Sequence, residues 1–148
     1  MIIEDSLERC GVKIMRILID TNVLMDVLLA RDPFLADSIT VLHMCEDDFA
    51  EAVVSAKTIA DLYYFLRKSL KDEEKARNVV RKIMNMVTVC DIKVQYLEKA
   101  LAVNNDDYED AIQAVCAKEE GCRLVISRDK KHYEGTGVKC LTPEEFVI

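Results

Sequence analysis

The sequence has little glycine or proline, no tryptophan and no long apolar run. Its 148 residues include four Gly and two Pro, which excludes a collagen-like or low-complexity chain. No stretch reaches the roughly 18 apolar residues that a membrane-spanning helix needs, and the charged start "MIIEDSLERCGVKI" does not fit a signal peptide. We therefore expect a globular cytoplasmic protein that makes no membrane contact.

The sequence also lacks closely spaced cysteine pairs and an excess of positive charge. None of the six Cys forms a CxxC motif, so reduced thiols are favoured over a disulfide framework or a zinc site. The net charge of −7 argues against a nucleic-acid binder with a broadly basic surface. The acidic residues are unevenly spread, however, and their positions carry most of the functional information.

Apolar strands and amphipathic helices alternate along the chain. We predict strands at 16–19, 51–55, 87–90, 123–127 and 137–141, and helices at 22–30, 33–48, 56–70, 72–86, 93–103 and 108–120. "TPEEFVI" opens a terminal helix, with Thr142 as N-cap, Pro143 at the first position and Glu145 completing a capping box. This order predicts an α/β fold with a central parallel sheet covered by helices on both faces.

The sequence predicts one domain over residues 15–148. Residues 1–14 precede a second methionine, Met15, which stands directly before the first strong strand. We treat those 14 residues as an N-terminal extension and predict no function for them.

Two aspartates follow predicted strands, where a parallel sheet binds its ligands. Asp20 ends the apolar run "RILI", and Asp129 comes two residues after "RLVIS". Each has an ordinary structural alternative, since Asp20 can cap the next helix and Asp129 can belong to a charged turn.

Three further acids occupy helices. Asp61 is the one charge in "IADLYYFL", and an unpaired carboxylate on such an apolar face would be costly. The alternative is a solvent-facing position beside Lys57 and Thr58. Asp107 and Asp110 in "DDYED" share a helix face, although acids are common at helix starts and Asp106 or Asp107 can be the N-cap.

Acids gathered in one crevice require a counter-charge to stay ionised. The chain offers no His or Cys set for zinc, and carboxylate oxygens suit Mg²⁺ or Mn²⁺. Such an ion polarises a phosphodiester and activates water. The residues alone therefore favour a divalent-metal site that acts on phosphate esters.

The motifs "LIDTNVLMDVL", "VSAKTIADLYYFLRK", "DYEDAIQAVCAKEEGCRLVISRDKKHY" and "VKCLTPEEF" resemble those of the PIN-domain ribonucleases, which include the VapC toxins. The resemblance covers about residues 15–148. It implies a three-layer α/β/α, Rossmann-like fold and a Mg²⁺- or Mn²⁺-dependent endonuclease acting on RNA. It also implies a homodimer and a partner antitoxin that reaches the active site, often with arginine.

The resemblance assigns roles to individual residues. It implies a catalytic set of Asp20, Asp61, Asp110 and Asp129, with Asp107 as a further metal ligand. Asp61 stands where the family more often has Glu, one methylene longer. Asn22 is expected to orient Asp20, and Ser127 to orient a water from a position where Thr is common. The bases expected to contact substrate are Arg67, Lys68, Arg128, Lys130 and Lys131.

Other readings remain open at this stage. A haloacid-dehalogenase-type phosphatase needs a second acid two residues after the first, where this chain has Asn22. A response-regulator receiver domain needs paired acids after the first strand. A PIN-like domain that binds RNA or protein without cleavage stays open, because Asp61 replaces Glu. Asp26 is expected at the surface or behind the metal ligands.

Overall fold

The structure is a computed structural model that describes residues 14–148; residues 1–13, and with them nearly all of the predicted extension, lie outside the described part. Five parallel strands form one sheet in the order β3-β2-β1-β4-β5. They are β1 (Met15–Ile19), β2 (Ala50–Ser55), β3 (Thr88–Cys90), β4 (Leu124–Ile126) and β5 (Cys140–Leu141). The predicted parallel sheet is confirmed.

Helices cover both faces of the sheet. In the described part of the chain they are α1 (Thr21–Leu28), α2 (Leu35–Glu46), α3 (Ala56–Leu70), α4 (Glu73–Met86), α5 (Val94–Leu101), α6 (Tyr108–Glu119) and α7 (Pro143–Val147). The expected three-layer α/β/α fold is therefore confirmed. None of these helices is long and apolar enough to cross a lipid bilayer.

The last three residues of the central strand β1 are apolar because they are buried on both faces of the sheet. Ile17 and Ile19 pack into one hydrophobic core, whereas Leu18 points to the other. Successive side chains of a strand alternate between the two faces of a sheet, and both faces here carry helices. This arrangement accounts for an uninterrupted apolar run that ends only at Asp20.

The order of the strands reverses at β1, which has β2 on one side and β4 on the other. Ile19 pairs with Ile126, and the Asp20 amide donates to the Ile126 carbonyl over 3.0 Å. The residues that follow β1 and β4 therefore emerge side by side, at the kind of switch point where open α/β sheets bind ligands.

The sequence predicts the terminal helix α7 better than it predicts the turn after β4. The capping box of α7 is confirmed, since Thr142 accepts from the Glu145 amide and Glu145 accepts from the Thr142 amide. The predicted charged turn after β4 instead contains a 3-10 helix, Lys130–Tyr133. This short helix carries Tyr133 to Asp20 at the end of β1, and His132 to the acids at the start of α6.

Candidate active site

Asp20 is both a helix cap and a buried acid in the crevice. Its Oδ1 accepts from the Thr21 amide over 2.7 Å, which makes it the N-cap of α1. Its Oδ2 accepts from the hydroxyls of Ser127 (2.8 Å) and Tyr133 (2.9 Å). The residue is 6% exposed. The cap role that the sequence suggested therefore coexists with a position in the crevice.

Ser127 and Asn22 are placed near Asp20, but their contacts differ from those expected. The Ser127 hydroxyl donates to Asp20 and accepts from Asn22 and from the Asp129 amide. A hydroxyl has one donor and two acceptor sites, so none is left to orient a water. Asn22 was expected to hold Asp20 directly; it instead bonds Ser127, the Asp129 carboxylate and the Arg128 amide.

The start of α6 brings two acids towards Asp20. Asp107 is the N-cap, and its Oδ1 accepts from the Asp110 amide over 3.2 Å. Burial raises the pKa of Asp110 to about 6, and the charges of Asp20 and Asp107 act in the same direction. Burial disfavours the charged carboxylate, and the two negative neighbours disfavour it further.

His132 is a cleft residue that the sequence prediction missed. Its Nδ1 lies 2.7 Å from Asp110 Oδ2 and 3.8 Å from Asp107 Oδ2. Burial lowers the pKa of His132, but the hydrogen bond to Asp110 and the nearby acids outweigh this and raise it overall. A usable signal was its spacing of three residues from Asp129, which a turn of 3-10 helix places on one side.

Asp61 lies on α3 at the same cleft and carries its own counter-charge. The ammonium of Lys57, one helical turn earlier, is 2.5 Å from Asp61 Oδ2 and 3.5 Å from Glu109 Oε1. Burial lowers the pKa of Lys57, yet the bonds and charges of these two acids raise it by more. The i, i+4 spacing of Lys57 and Asp61 was visible in the sequence.

These side chains line one cleft of about 420 Å³ at the C-terminal edge of the sheet. The five acids predicted from sequence all reach it, together with groups that the prediction did not include. Its lining residues are Asp20, Thr21, Asn22, Met25, Arg31, Lys57, Asp61, Phe65, Asp107, Glu109, Asp110, Gln113, Asp129 and His132.

The bases predicted to contact substrate do not line this cleft. Arg128 grips the fully buried Asp26, with its Nε 2.5 Å and its Nη2 3.2 Å from the two carboxylate oxygens. Lys130 pairs with Glu145, and Arg67 and Lys68 are exposed in the last turn of α3. Arg128 and Lys130 are therefore paired with carboxylates outside the cleft. Asp26, which was expected at the surface or behind the metal ligands, is not at the surface.

The residues present fit a divalent cation. Single oxygen atoms of Asp107 and Asp110 and one imidazole nitrogen of His132 lie within 4.8 Å of one another. Beside them, Gln113 is 4% exposed, and its Oε1 lacks a hydrogen-bond partner among the described residues. The fit to a divalent cation therefore rests on the donor set of two carboxylates and one imidazole.

Comparison with known proteins gives this geometry a family. The family profile described as PIN domain matches residues 16–131. The chain belongs to the PIN-domain family. Ribonuclease VapC1 of Aquifex aeolicus is 29% identical over 136 residues, which are 88% of this chain and 92% of that protein. Membership in the PIN-domain family excludes the haloacid-dehalogenase-type phosphatase and the response-regulator receiver domain as alternatives.

Solved PIN-domain structures share the fold. The VapBC2 complex of Rickettsia felis, bound to a DNA fragment from its promoter, matches with a TM-score of 0.68 and 14% identity over 86% of this chain and 98% of that chain. VapC20 of Mycobacterium tuberculosis, a toxin that cleaves the sarcin-ricin loop, matches with a TM-score of 0.62 and 15% identity, covering 83% and 98%. At such identities the likeness concerns the fold.

Proposed function

We propose that this PIN-domain protein is a metal-dependent endoribonuclease that hydrolyses RNA phosphodiester bonds. The observation that carries the proposal is the cleft in which Asp20, Asp110 and Asp129 converge with too little positive charge to balance them. The similarity to Ribonuclease VapC1 supplies the reaction class. Asp20, Asp107, Asp110 and Asp129 would hold the ion, with Mg²⁺ or Mn²⁺ as the proposed metal.

A divalent cation bound there would polarise the scissile phosphodiester and favour attack by water. The protein's own part is positioning. Ser127 and Tyr133 fix Oδ2 of Asp20, and Asn22 holds the carboxylate of Asp129 over 3.2 Å. Side chains held in this way present their oxygens without further rearrangement, which is how a rigid site lowers the cost of assembling its reaction.

Lys57 and Asp61 form the outer part of the proposed site. The shorter Asp61 side chain would act at a distance from the ion, through a water, where the family's longer Glu reaches farther. Lys57 lies in the cleft wall with its side chain 27% exposed. Its ammonium is suited to contact an RNA phosphate once substrate displaces one of its two carboxylate partners.

The test is cleavage of total RNA by tag-free protein with Mg²⁺ or Mn²⁺. We expect EDTA to stop cleavage and Asp20→Asn to abolish it. Asp47→Asn is the matched control, because Asp47 is an exposed acid before β2, at the opposite edge of the sheet. Equal activity of the Asp20→Asn and Asp47→Asn variants would refute the assigned site.

The second candidate function is binding of RNA or protein without cleavage. The observation that favours it is the close Lys57–Asp61 pair, which satisfies Asp61 without any metal. In that case RNA would bind with an affinity that EDTA leaves unchanged, and no products would form with either metal.

We further propose that the chain is the toxin of a toxin–antitoxin pair and forms a homodimer. The acidic cleft suits an arginine-bearing partner segment, since guanidinium groups bind carboxylates in a bidentate manner. Co-expression with the product of the adjacent open reading frame tests the pairing, and light scattering after gel filtration measures the oligomeric state. A monomer that copurifies with no neighbour product would contradict both parts.

A further inference from the structure

Among the described residues that line the cleft, His132 is the one imidazole. It stands on the 3-10 helix Lys130–Tyr133, which the sequence pattern described only as a charged turn. Its side chain is 48% exposed, but its Nδ1 atom faces Asp110 and Asp107 and not the solvent. The ring is therefore oriented by the cleft and not by packing.

We propose that His132 is a nitrogen ligand of the cation bound by Asp107 and Asp110, and that it makes this site select Mn²⁺ over Mg²⁺. The inference rests on the proposed metal-dependent function, because it concerns the ion that this function uses. It goes beyond that function by naming a further ligand and the chemical class of the metal, a first-row transition dication.

The spacing of the donor atoms supports a shared ion. Ligand atoms that sit about 2.0–2.2 Å from one metal are about 3 Å from their neighbours in an octahedral arrangement. Nδ1 of His132 is 2.7 Å from one aspartate oxygen and 3.8 Å from the other. Small rotations of three partly exposed side chains would bring all three atoms onto one ion.

The chemistry of the donors sets the preference. Mg²⁺ binds oxygen ligands and retains its waters. Imidazole is a ligand of first-row transition ions, and Mn²⁺ is the member of that series that also binds readily to carboxylates. An all-carboxylate cleft would not distinguish strongly between Mg²⁺ and Mn²⁺. Replacement of one oxygen position by an imidazole nitrogen favours Mn²⁺, and this donor would bind in its neutral form with the remaining proton on the outward-facing Nε2.

Gln113 fixes the acid at the centre of the same cleft. Its amide nitrogen lies 3.2 Å from the Thr58 hydroxyl and 3.5 Å from Asp20 Oδ1, so the donor end of the amide faces Asp20. The proposed ion therefore lies beside a carboxylate whose position is set by a neutral donor.

A purely structural role for His132 makes a different prediction. As a partner that only offsets the charge of Asp110, it would oppose cation binding, and its removal would strengthen the binding of Mg²⁺ and Mn²⁺ alike. As a ligand, its removal would weaken Mn²⁺ binding while Mg²⁺ binding stays equal or becomes stronger. The two roles are therefore separated by the sign of the change for Mn²⁺.

The experiment uses tag-free, full-length protein without RNA. The chain contains two histidines, and the other, His43, is exposed on α2 away from the cleft. We expect pulsed EPR of bound Mn²⁺ to show imidazole ¹⁴N coupling in wild type and in His43→Ala, and to lose it in His132→Ala. In calorimetry, His132→Ala should lower Mn²⁺ affinity by about tenfold or more.

Three results would overturn the inference: no imidazole coupling in wild type, coupling that persists in His132→Ala, or equal gains for both metals in that variant. The proposed function is judged separately by RNA cleavage. Wild-type protein that shows the nitrogen coupling but never cleaves RNA would refute the nuclease alone. Cleavage supported equally by both metals, without nitrogen coupling, would refute the role of His132 alone.

Discussion

Asp20 and Asp26 are buried carboxylates six residues apart, yet their surroundings differ in charge. Asp26 is fully buried and held by the bidentate guanidinium of Arg128, with Arg31 3.8 Å away. Asp20 is held by neutral donors, namely a backbone amide, two hydroxyls and the Gln113 amide. The first carboxylate is bonded by a cationic group inside the protein, whereas the donors that bond the second in the described residues are neutral.

The difference separates structure from function in this part of the fold. A carboxylate that already has a guanidinium partner gains little from a metal ion, whereas one stabilised by dipoles alone remains available to a cation. The two acids are the first and last residues of the segment "DTNVLMD", so their identity as Asp does not distinguish them. They differ in the groups that bond them, which are a guanidinium for Asp26 and neutral donors for Asp20.

Removal of the Asp26 counter-charge should have the largest effect on stability. Arg128→Met leaves a fully buried carboxylate without its main partner, which typically costs about 3–5 kcal/mol of unfolding free energy. Urea unfolding at pH 7 measures it, with Lys130→Met, which breaks an exposed ion pair, as the control. A double variant with Asp26→Leu should recover most of the loss; equal stability of both single variants would contradict the comparison.

Substitution of Asp61 tests the role of the cleft through the rate of RNA cleavage. Asp61→Ala should reduce kcat/KM for RNA cleavage by about 10–100-fold, because a group acting through water on a metal site contributes on that scale. That loss equals about 1.4–2.7 kcal/mol. Asp61→Glu should keep or raise activity, since the longer side chain reaches nearer to the ion. Unchanged activity in Asp61→Ala would remove Asp61 from the site.

Removal of the charge of Asp110 should stabilise the metal-free protein, in contrast to the loss of stability expected when Asp26 is left without Arg128. Its folded-state pKa, about 6, lies above its ordinary value, so the protonated form stabilises the native state at low pH. That contribution is present below about pH 4 and is lost as the pH rises through about 6. In EDTA at pH 7, Asp110→Asn should therefore raise the unfolding free energy by about 1–2 kcal/mol.

The check is a series of unfolding curves from pH 4 to pH 8 without metal. The gain from Asp110→Asn should shrink towards pH 4 and reach its full size above pH 6. A lower stability of Asp110→Asn at pH 7 in EDTA would mean that His132 already compensates this carboxyl, and the comparison with Asp26 would fail.

Asn22 joins the two regions, and its removal should have the smallest effect. Asn22→Ala loses bonds to Ser127, to Asp129 and to the Arg128 amide, at a net cost of about 1 kcal/mol. Hydrogen exchange should become faster at residues 127–129 while the strand β2 keeps its protection. Unchanged exchange at those residues would show that the segment does not depend on Asn22.

Local pattern was sufficient to predict the elements and the acids of the cleft. Apolar runs such as "RILI" and "RLVIS" are strands because both faces of the sheet are covered, and the carboxyl ends of parallel strands share one edge. These two facts bring Asp20 and Asp129 together without knowledge of any contact.

Contacts between distant side chains could not be predicted in this way. Arg128 looked like a substrate contact because its partner Asp26 is 102 residues away in sequence. His132 was missed because a 3-10 helix in a charged turn has no apolar period to reveal it. Ser127 was expected to hold a water, and only the bonds from Asn22 and Asp129 show that its hydroxyl is already satisfied.

The pairing of β1 with β4 also governs when this site can exist. The bond from Ser127 to Asp20 joins residues 107 positions apart, and β4 enters the sheet beside a strand made near the start of the chain. A fragment that stops between residues 111 and 123 holds Asp20, Asp61 and Asp110 but lacks the strand β4 that assembles the site. The proposed nuclease site therefore cannot form until translation has passed β4, and the fold delays the onset of the proposed activity.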